Sequence, residues 1–571
     1  MPCIRGDCRL LRAALVSLAL ILANAAAAAE MVAPRIEVAT VDWTRANDHA
    51  GDLSALNALS GKRFPQIQAS AVPALLPFDV EGFRKAGEPA DADKFVLGGF
   101  TATNFFQPGP AGYDAVFTLR ASETQEFSDI AYSEPVHILL SGLRFTYSID
   151  GPRLPEAAPV KDLDPAFPGI HRVWHEFVQR TVFQRYGATY VTAIHCRDVA
   201  PSPRVLSCPQ AARIADKFVR SLRLAGGKPA NEPVASVSLQ RPETVSPDFT
   251  FHAPGALIPL TGRRPDLGGV ADRTAYANLR FPLADAPVFA NSQSFNNWGD
   301  CDFTGRTPRP VHSKDALYAC KVNGRPLVFN EAAGPNYRYP WRDNFCEHRR
   351  FPVGQCPGGE GHQGQDIRPS FCKTFNESAD RCLAYQHDAV AAEDGMVLRW
   401  RKNEALLLFV NTPNAHVRLR YLHMHPGKLD AAGMTTGRRV QRGEVLGQIG
   451  NYDERDHGTT YHLHFDMQVP TAIGYVFINP YMTLIASYEQ LLGARGTEIV
   501  PMAEQPPVEQ ASAPEAMNSI PALPKLETVS LPLPAGRPKI VTPPLPTSRP
   551  SITPPRLPLA RPRHAHRLAR G

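Results

Sequence analysis

The chain has 571 residues, 43% of them apolar, which is enough for several domains with sizeable cores. Only 20% of the residues are charged and 55 are prolines, which disfavours a coiled coil or a helical bundle because proline ends helices. The net charge is +6, and the basic residues after Glu527 exceed it, so the rest of the chain is slightly acidic. This distribution excludes a nucleic-acid-coating protein, and we expect no nucleic-acid partner. The basic residues of this tail are Arg537, Lys539, Arg549, Arg556, Arg561, Arg563, Arg567 and Arg570.

Residues 1–29 have the pattern of a secretory signal peptide. Three arginines precede an apolar run from Ala13 to Ala23, and a string of alanines before Glu30 offers small-residue cleavage sites. The alternative, an uncleaved membrane anchor, would need about 20 apolar residues and a flanking stop signal. We therefore expect a periplasmic or secreted protein with no stable transmembrane segment after cleavage.

Of the ten cysteines, Cys3 and Cys8 lie in the signal and the rest form an even set, which favours disulfides in an exported chain. The sequence leaves their connectivity open, and pairing of sequential neighbours is the simplest hypothesis. None has the CxxC spacing of a zinc ribbon or redox site, so catalytic cysteine chemistry is not expected. The hypothetical pairs are Cys196–Cys208, Cys301–Cys320, Cys346–Cys356 and Cys372–Cys382.

Residues 30–228 are predicted to form a mixed α+β domain of unknown role. Ile214, Phe218 and Leu222 recur at four-residue steps, which indicates an amphipathic helix, and Gly226 with its neighbour would end it. Strands are predicted at 95–100, 113–119 and 143–149, the last from strict alternation of apolar and polar residues.

Three further segments follow. Residues 229–285 contain many prolines and few apolar runs, which predicts a linker with packed turns. Residues 286–493 are again typical of a folded core. Residues 494–571 lack periodicity and are rich in proline, which predicts a disordered basic tail. This tail could bind anionic envelope polymers or be a solvated extension, and the sequence leaves both open.

Histidines provide the candidate chemistry of the 286–493 region. His362 and Asp366 are four residues apart, and Gly364 between them argues against a helix, but an extended loop could bring both to one ion. His462 and His464 are two apart within an alternating apolar stretch, so a strand would project both to the same side. The apolar residues between and after them, Leu463, Phe465 and Met467, would face the core.

Each motif alone is weak, since the HxH spacing also occurs at 423–425 and 564–566. Five stretches in order, however, resemble the M23 family of zinc endopeptidases, the lysostaphin and LytM-like group that cuts peptidoglycan peptides. They are HxGxD at 362–366, V-A-A-x-D-G-x-V at 390–397, Y-x-H-M at 421–424, V-x-x-G-E-x-L-G-x-I-G at 440–450 and HLHF at 462–465. The resemblance covers roughly residues 286–490.

This resemblance implies a site and a reaction. His362, Asp366 and His464 would be the ligands of one zinc ion, and such a set leaves a fourth tetrahedral position open, as in catalytic sites. Zinc lowers the pKa of its bound water to about 7. His423 and His462 would be the metal-free catalytic pair, which orients or deprotonates water and stabilises the oxyanion.

Two departures from the family pattern bear on substrate access. A stretch with Cys372 and Cys382 follows Asp366, and we interpret it as a disulfide-pinned loop at the cleft rim. Residues 452–461 replace a glycine- and serine-rich run, and His457 within them is predicted to be an exposed loop histidine.

One other histidine pair is rejected as a site. His171 and His175 are four apart on a predicted helix, and Glu176 follows. A zincin needs HExxH, but position 179 is Gln, so the motif fails.

The sequence therefore predicts an exported zinc endopeptidase that cuts peptidoglycan stems or cross-links, with the D-alanyl–diaminopimelate bond as the one the resemblance implies. Its catalytic domain is expected to be a mainly β, LytM-like antiparallel sheet with a zinc groove, preceded by the α+β domain. The alternative is a non-catalytic M23-like binding protein or an activator of cell-wall amidases. A further hypothesis is that residues 30–228 cap the groove, in which case their removal should raise activity.

Overall fold

The computed structural model describes residues 30–87, 90–149, 157–257, 269–290, 340–347, 349–370, 373, 382–400 and 405–499, and the short segments 300–301, 320–322 and 325–326. The signal-like segment, most of 371–381 and the tail beyond Ile499 lie outside this range. The expectations for those segments stay predictions. Within the described part of the chain, no helix has the length and apolar character needed to cross a membrane.

The N-terminal region combines strands with short helices. Its strands are β1 Arg35–Val38, β2 Ala74–Leu76, β3 Thr101–Gly109, β4 Gly112–Leu119, β5 Val136–Leu143, β6 Phe145–Ser148, β7 Ala158–Pro159, β8 His171–His175, β9 Val178–Arg185, β10 Ala188–His195 and β11 Arg223–Gly226. Its helices are α1 Trp43–Ala50, α2 Leu53–Ser60, α3 Val80–Ala86 and α4 Cys208–Ser221. Seven of these strands form a sheet of order β3-β4-β5-β10-β9-β8-β7, while β1 pairs with β6 and β11 pairs with β2. Helix α4 packs into the apolar core on one face of the seven-stranded sheet.

The C-terminal region is mainly β. Its strands are β12 Val245–His252, β13 Val288–Ala290, β14 Asp300–Cys301, β15 Cys320–Val322, β16 Arg325–Pro326, β17 Gln365–Pro369, β18 Asp388–Val390, β19 Gly395–Trp400, β20 Ala405–Thr412, β21 Ala415–Leu422, β22 Arg439–Val440, β23 Val445–Gln448, β24 Leu463–Thr471, β25 Gly474–Ile478 and β26 Arg495–Ile499. Its helices are α5 Pro426–Ala431 and α6 Tyr481–Leu492. The main sheet has the order β13-β17-β24-β21-β20-β19-β22, with β25 paired to β24, and its pairs are antiparallel as expected.

Several local predictions differ from the structure. The predicted strand at 95–100 instead contains the end of one 3-10 turn, Ala92–Phe95, and a second turn, Leu97–Gly99. Gly98 and Gly99 adopt φ of 74° and 76°, outside the extended region. The predicted helix exists and begins with a capping box between Ser207 and Gln210, but it ends at Ser221, and Gly226 belongs to β11. The pair His171 and His175, expected on a helix, lies on strand β8.

Longer-range pairing accounts for the other differences. The 229–285 segment was predicted as linker, yet it contains β12, which pairs in parallel with β26 at the start of the predicted tail. The 440–450 motif contains β22 and β23, which pair with β19 and β18 and not with each other. Strand partners so distant in sequence leave no local signal.

Two of the four hypothetical disulfides are confirmed, Cys196–Cys208 and Cys346–Cys356. Cys301 and Cys320 are directly opposed on β14 and β15, and their side chains lie outside the described set. Cys382 also forms a disulfide, and its predicted partner Cys372 is outside the described residues.

The N-terminal sheet packs on a specific face of the main C-terminal sheet. Residues directly opposite each other in a sheet share a face. Asp466 lies opposite Arg420, Arg420 opposite Leu407, and Leu407 opposite Leu398, so all four share the face from which His464 also projects. Leu398 and Leu407, with Met396 and Phe409, form one apolar cluster with residues of the N-terminal sheet, Phe105, Val116, Leu139 and Ala193. The N-terminal sheet therefore covers one end of the face that carries the candidate site.

A buried polar network joins the same two sheets. Asp114 on β4 accepts hydrogen bonds from His416 Nε2 (2.7 Å) and Arg418 Nη2 (3.3 Å), and Ser141 accepts from Arg418 (2.9 Å). All four residues are at most 5% exposed. The Arg418 guanidinium also lies 3.5 Å from the centre of the Tyr475 ring. Removing any one charged partner of this network would destabilise the protein, because the remaining charges would stay buried and uncompensated.

Candidate metal centre

Strand register places two of the candidate residues side by side. Asp366 on β17 is directly opposite His464 on β24, and Leu422 on β21 is opposite His464 on its other side. The predicted alternation on β24 is confirmed, since Leu463 and Phe465 are fully buried in the apolar core on the far face. Asp366 and His464 thus share the near face, 98 residues apart in sequence.

His362 completes a compact group with them. His362 Nε2 lies 2.9 Å from His464 Nδ1 and 3.2 Å from Asp366 Oδ1, and His464 Nδ1 lies 3.2 Å from the same oxygen. The three side chains are the metal-competent group among the described residues. Tetrahedral zinc with ligands at about 2.0–2.2 Å separates its donor atoms by roughly 3.4 Å, close to these distances.

The outer hydrogen bonds of the two imidazoles determine which nitrogen faces inward. His362 Nδ1 lies 2.9 Å from the Asn344 carbonyl oxygen and His464 Nε2 lies 3.0 Å from Asp466 Oδ2, and both partners only accept, so both nitrogens carry protons. When both rings are neutral, the inward nitrogens, His362 Nε2 and His464 Nδ1, each carry a lone pair. These lone pairs point toward the Asp366 carboxylate. Three converging lone pairs repel unless a cation lies between them, so the donor set fits a bound metal ion.

Electrostatics around the group favour a cation. Burial raises the pKa of Asp366, but the adjacent His362 and His462 outweigh it and hold that pKa well below its ordinary value. Burial lowers the pKa of His464, but hydrogen bonds to Asp366 and Asp466 outweigh it and raise that pKa above its ordinary value. Without a metal, a proton on His464 can compensate the carboxylates, and a bound cation would replace that proton.

The other two predicted histidines lie next to this group. His462 Nε2 is 3.3 Å from Asp366 Oδ1, yet His462 is not part of the mutually close set of donors. The ring centre of His423 lies 4.6 Å from that of His462 and 6.1 Å from that of His464. His423 follows the last residue of β21 and has φ of 69°, which is uncommon for a side chain other than glycine and turns it out of the strand.

Both of these histidines direct Nε2 away from the backbone. His423 Nδ1 donates to the Tyr452 carbonyl (2.8 Å) and His462 Nδ1 donates to the Thr460 carbonyl (2.6 Å). Burial, with repulsion from His462 and His464, holds the pKa of His423 well below its ordinary value. Burial also lowers the pKa of His462 despite the opposing effect of Asp366. Both rings are therefore neutral near pH 7, with a lone pair on Nε2.

Two residues of this centre were not anticipated from sequence. Asp466 is fully buried and accepts from His464 and, at 2.5 Å, from Arg420 Nε. Arg420 also donates to the Gln363 side chain at 2.6 Å. The signal for Asp466 was present, because the two-residue alternation of His462 and His464 continues to it on the same face.

Of the other histidines considered from the sequence, those that the structure describes lie outside the metal-competent group. His425, second in the 423–425 pair, caps α5 by accepting from the Gly427 and Lys428 amides. His457 is an exposed loop residue, as predicted, next to the Asn451 side chain at 2.9 Å. The pair His171 and His175 lies on β8 of the N-terminal sheet.

No family model matches this chain. No curated protein matches it either. Among solved structures, it is similar to a crystal structure from Ruminococcus gnavus of a protein provisionally assigned as the glycyl-glycine endopeptidase lytM, with 24% sequence identity and a TM-score of 0.17. The match covers 24% of this chain and 50% of the other, so the chain spans about half the length of that protein. At this identity and TM-score the likeness carries no weight for fold or function.

Proposed function

We propose that this chain is an exported zinc endopeptidase that hydrolyses peptide bonds of peptidoglycan. The observation that carries the proposal is the convergence of three metal-competent lone pairs beside two neutral histidines whose Nε2 atoms are free to accept protons. A structural zinc site has four protein ligands, whereas three ligands with adjacent bases are typical of hydrolytic sites. Peptidoglycan as the substrate, and the envelope as the location, come from the resemblance to M23 enzymes and the signal-like N-terminus.

His362, Asp366 and His464 would hold the ion. A bound zinc ion would supply Lewis acidity toward the scissile carbonyl and toward water. His464 is kept in its ligand tautomer by Asp466, and His362 by the Asn344 carbonyl, so neither ring must reorient on metal binding.

His462 and His423 would move the protons. Each has Nδ1 committed to a backbone carbonyl, so Nε2 accepts the proton of the attacking water. Neither ring in its neutral form can donate from Nε2 to an oxyanion. Once one has taken the proton, the resulting imidazolium can donate it to the leaving amine. The resemblance gave this pair both water activation and oxyanion stabilisation, and the tautomers of the neutral rings favour the first of these roles.

The test uses isolated sacculi, the purified protein and two variants. His464→Ala removes a proposed ligand. His425→Ala is the control, because His425 caps α5 and lies outside the metal-competent group. We expect chelator-sensitive release of muropeptides by the wild type and His425→Ala, and none by His464→Ala. The masses of the products identify the bond, for example a D-alanyl–diaminopimelate cross-link. Zinc-loaded wild type that releases nothing would refute the endopeptidase and favour the non-catalytic binding or amidase-activating alternative.

A further inference from the structure

The turn between β8 and β9 holds two residues that such turns disfavour. Glu176 and Phe177 have φ of 54° and 59°, and a two-residue hairpin with positive φ at both positions prefers Asn-Gly or Gly-Gly. Left-handed conformations are strained for residues other than glycine, because Cβ comes too close to the following carbonyl oxygen. Contacts outside the turn must therefore stabilise it.

Those contacts reach into the C-terminal region. The Glu176 side chain is fully buried and accepts from Arg180 Nη2 (3.1 Å), Gly354 N (3.4 Å) and Phe477 N (3.4 Å). Arg180 is also buried and supplies the compensating charge from the N-terminal side. Phe477 belongs to β25 at the edge of the main sheet. The turn is thus a point of contact between the two sheets, with a charged side chain at its tip.

Gly354 lies within the loop closed by the Cys346–Cys356 disulfide. A Cβ atom at position 354 would lie 2.0 Å from His175 Nε2, so the His175 ring packs directly on this glycine. Two adjacent side chains of the N-terminal sheet, His175 and Glu176, therefore contact the same residue of the disulfide loop.

This loop is hydrogen-bonded to the backbone of the candidate metal ligand His362, which follows it in sequence. The Cys346 amide donates to the His362 carbonyl (2.9 Å), and the His362 amide donates to the Glu347 carbonyl (2.7 Å). The His362 ring donates to the Asn344 carbonyl (2.9 Å). Asn344, Cys346 and Glu347 consequently position His362 through backbone and side-chain bonds, and the β8–β9 turn contacts the same disulfide loop at Gly354.

We infer that Glu176 is a positioning residue for the metal centre, acting through Gly354 and the disulfide loop on His362. The N-terminal region then supports the site instead of only covering it. Loss of the Glu176 contact would let residues 344–362 move and would increase the cost of bringing His362 to the ion. This inference rests on the proposed metal centre. Its test measures zinc binding and amide hydrogen exchange instead of peptidase activity.

The experiment compares Glu176→Gln and Gly354→Ala, which disrupt one contact from its two sides, with Gln107→Ala as the matched control. Gln107 Nε2 donates to the Phe409 carbonyl (2.9 Å), so this control also removes a hydrogen bond between the N-terminal and main sheets, but not one to the disulfide loop. Zinc dissociation constants are measured in the full chain by competition with a chromophoric chelator. Hydrogen exchange of residues 344–362 and thermal unfolding are measured on the metal-free proteins.

We expect zinc binding about tenfold weaker in Glu176→Gln and Gly354→Ala, and less than about twofold weaker in Gln107→Ala. Exchange at 344–362 should be faster in the first two variants only, at a temperature where all three proteins are folded. Unchanged zinc affinity in both test variants, or an equal loss in Gln107→Ala, would overturn the inference. If the wild type bound no zinc, the proposed function would fail, and the exchange comparison would still decide whether Glu176 holds the loop.

Discussion

Replacement of Asp466 by asparagine should weaken zinc binding without unfolding the protein. One oxygen of Asp466 accepts both from His464 Nε2 (3.0 Å) and from Arg420 Nε (2.5 Å), and its other oxygen has no hydrogen-bond partner. The asparagine side chain has one oxygen and one NH₂ group. If the NH₂ group faces His464 and Arg420, both donors lose their acceptor. In either rotamer the negative charge that balances Arg420 is lost. Loss of such an outer partner costs about 10–100-fold in metal affinity, or about 1.4–2.7 kcal/mol.

The assay is chelator competition at pH 7.5 or isothermal titration with zinc, with the metal-free protein checked by circular dichroism. Asp456→Asn is the matched control, because that carboxylate is exposed on the neighbouring 451–457 loop and lies outside the ligand set. It should bind zinc as the wild type does. An Asp466→Asn protein that is folded and binds zinc with wild-type affinity would refute the assignment of Asp466 as the group that orients His464.

Three other outcomes are expected. His423→Ala and His462→Ala should each keep wild-type zinc affinity but lower kcat by about 10²–10⁴-fold, measured on a defined cross-linked muropeptide. Loss of zinc binding in either variant would show that the residue is a metal ligand. Asp114→Asn should lower the free energy of unfolding at pH 7 by about 3–5 kcal/mol, because it breaks the buried pair with Arg418. Burial raises the pKa of Asp114, but His416 and Arg418 outweigh this effect, so the pKa of Asp114 in the folded protein is lowered. The stabilisation by Asp114 is therefore complete above the ordinary carboxyl pKa and is lost as the pH falls through the lowered pKa of the folded protein. Urea titrations at several pH values should show this acid-side loss in the wild type and a smaller one in the variant. Deletion of residues 30–228 should give aggregated protein, and not the activated enzyme that a removable cap would leave; soluble, more active protein would contradict this.

The reason for the last expectation lies in the shared core. Deletion would expose Met396, Leu398, Leu407 and Phe409, which pack against the N-terminal sheet. At about 1.5–3 kcal/mol for each side chain, the loss is roughly 6–12 kcal/mol, comparable with the whole stability of a typical domain. Point substitutions such as Glu176→Gln are therefore better probes of the N-terminal region than truncation.

Much of the candidate centre could be predicted because its signals are local. The HxH spacing within an alternating apolar strand places His462 and His464 on one face, since successive strand residues point to opposite sides. The glycine in HxGxD correctly argued against a helix, and Asp366 lies on a strand. The strand predicted at 113–119 is β4, and the alternation at 143–149 correctly predicted β6. Errors occurred where the local pattern was ambiguous, as at 95–100, or where the strand partner was remote, as for β12.

The sequence by itself determined the residue types of the centre, their order and the side of the strand that each occupies, because backbone geometry imposes those periods locally. Only the tertiary structure decided that Asp366 faces His464, which tautomer each imidazole adopts, and that Asp466 completes the group. It alone also placed Glu176 against Gly354, a contact between residues 178 positions apart. Sheet register and the packing of one sheet on another set these relations, and both depend on the whole core and not on any one stretch of sequence.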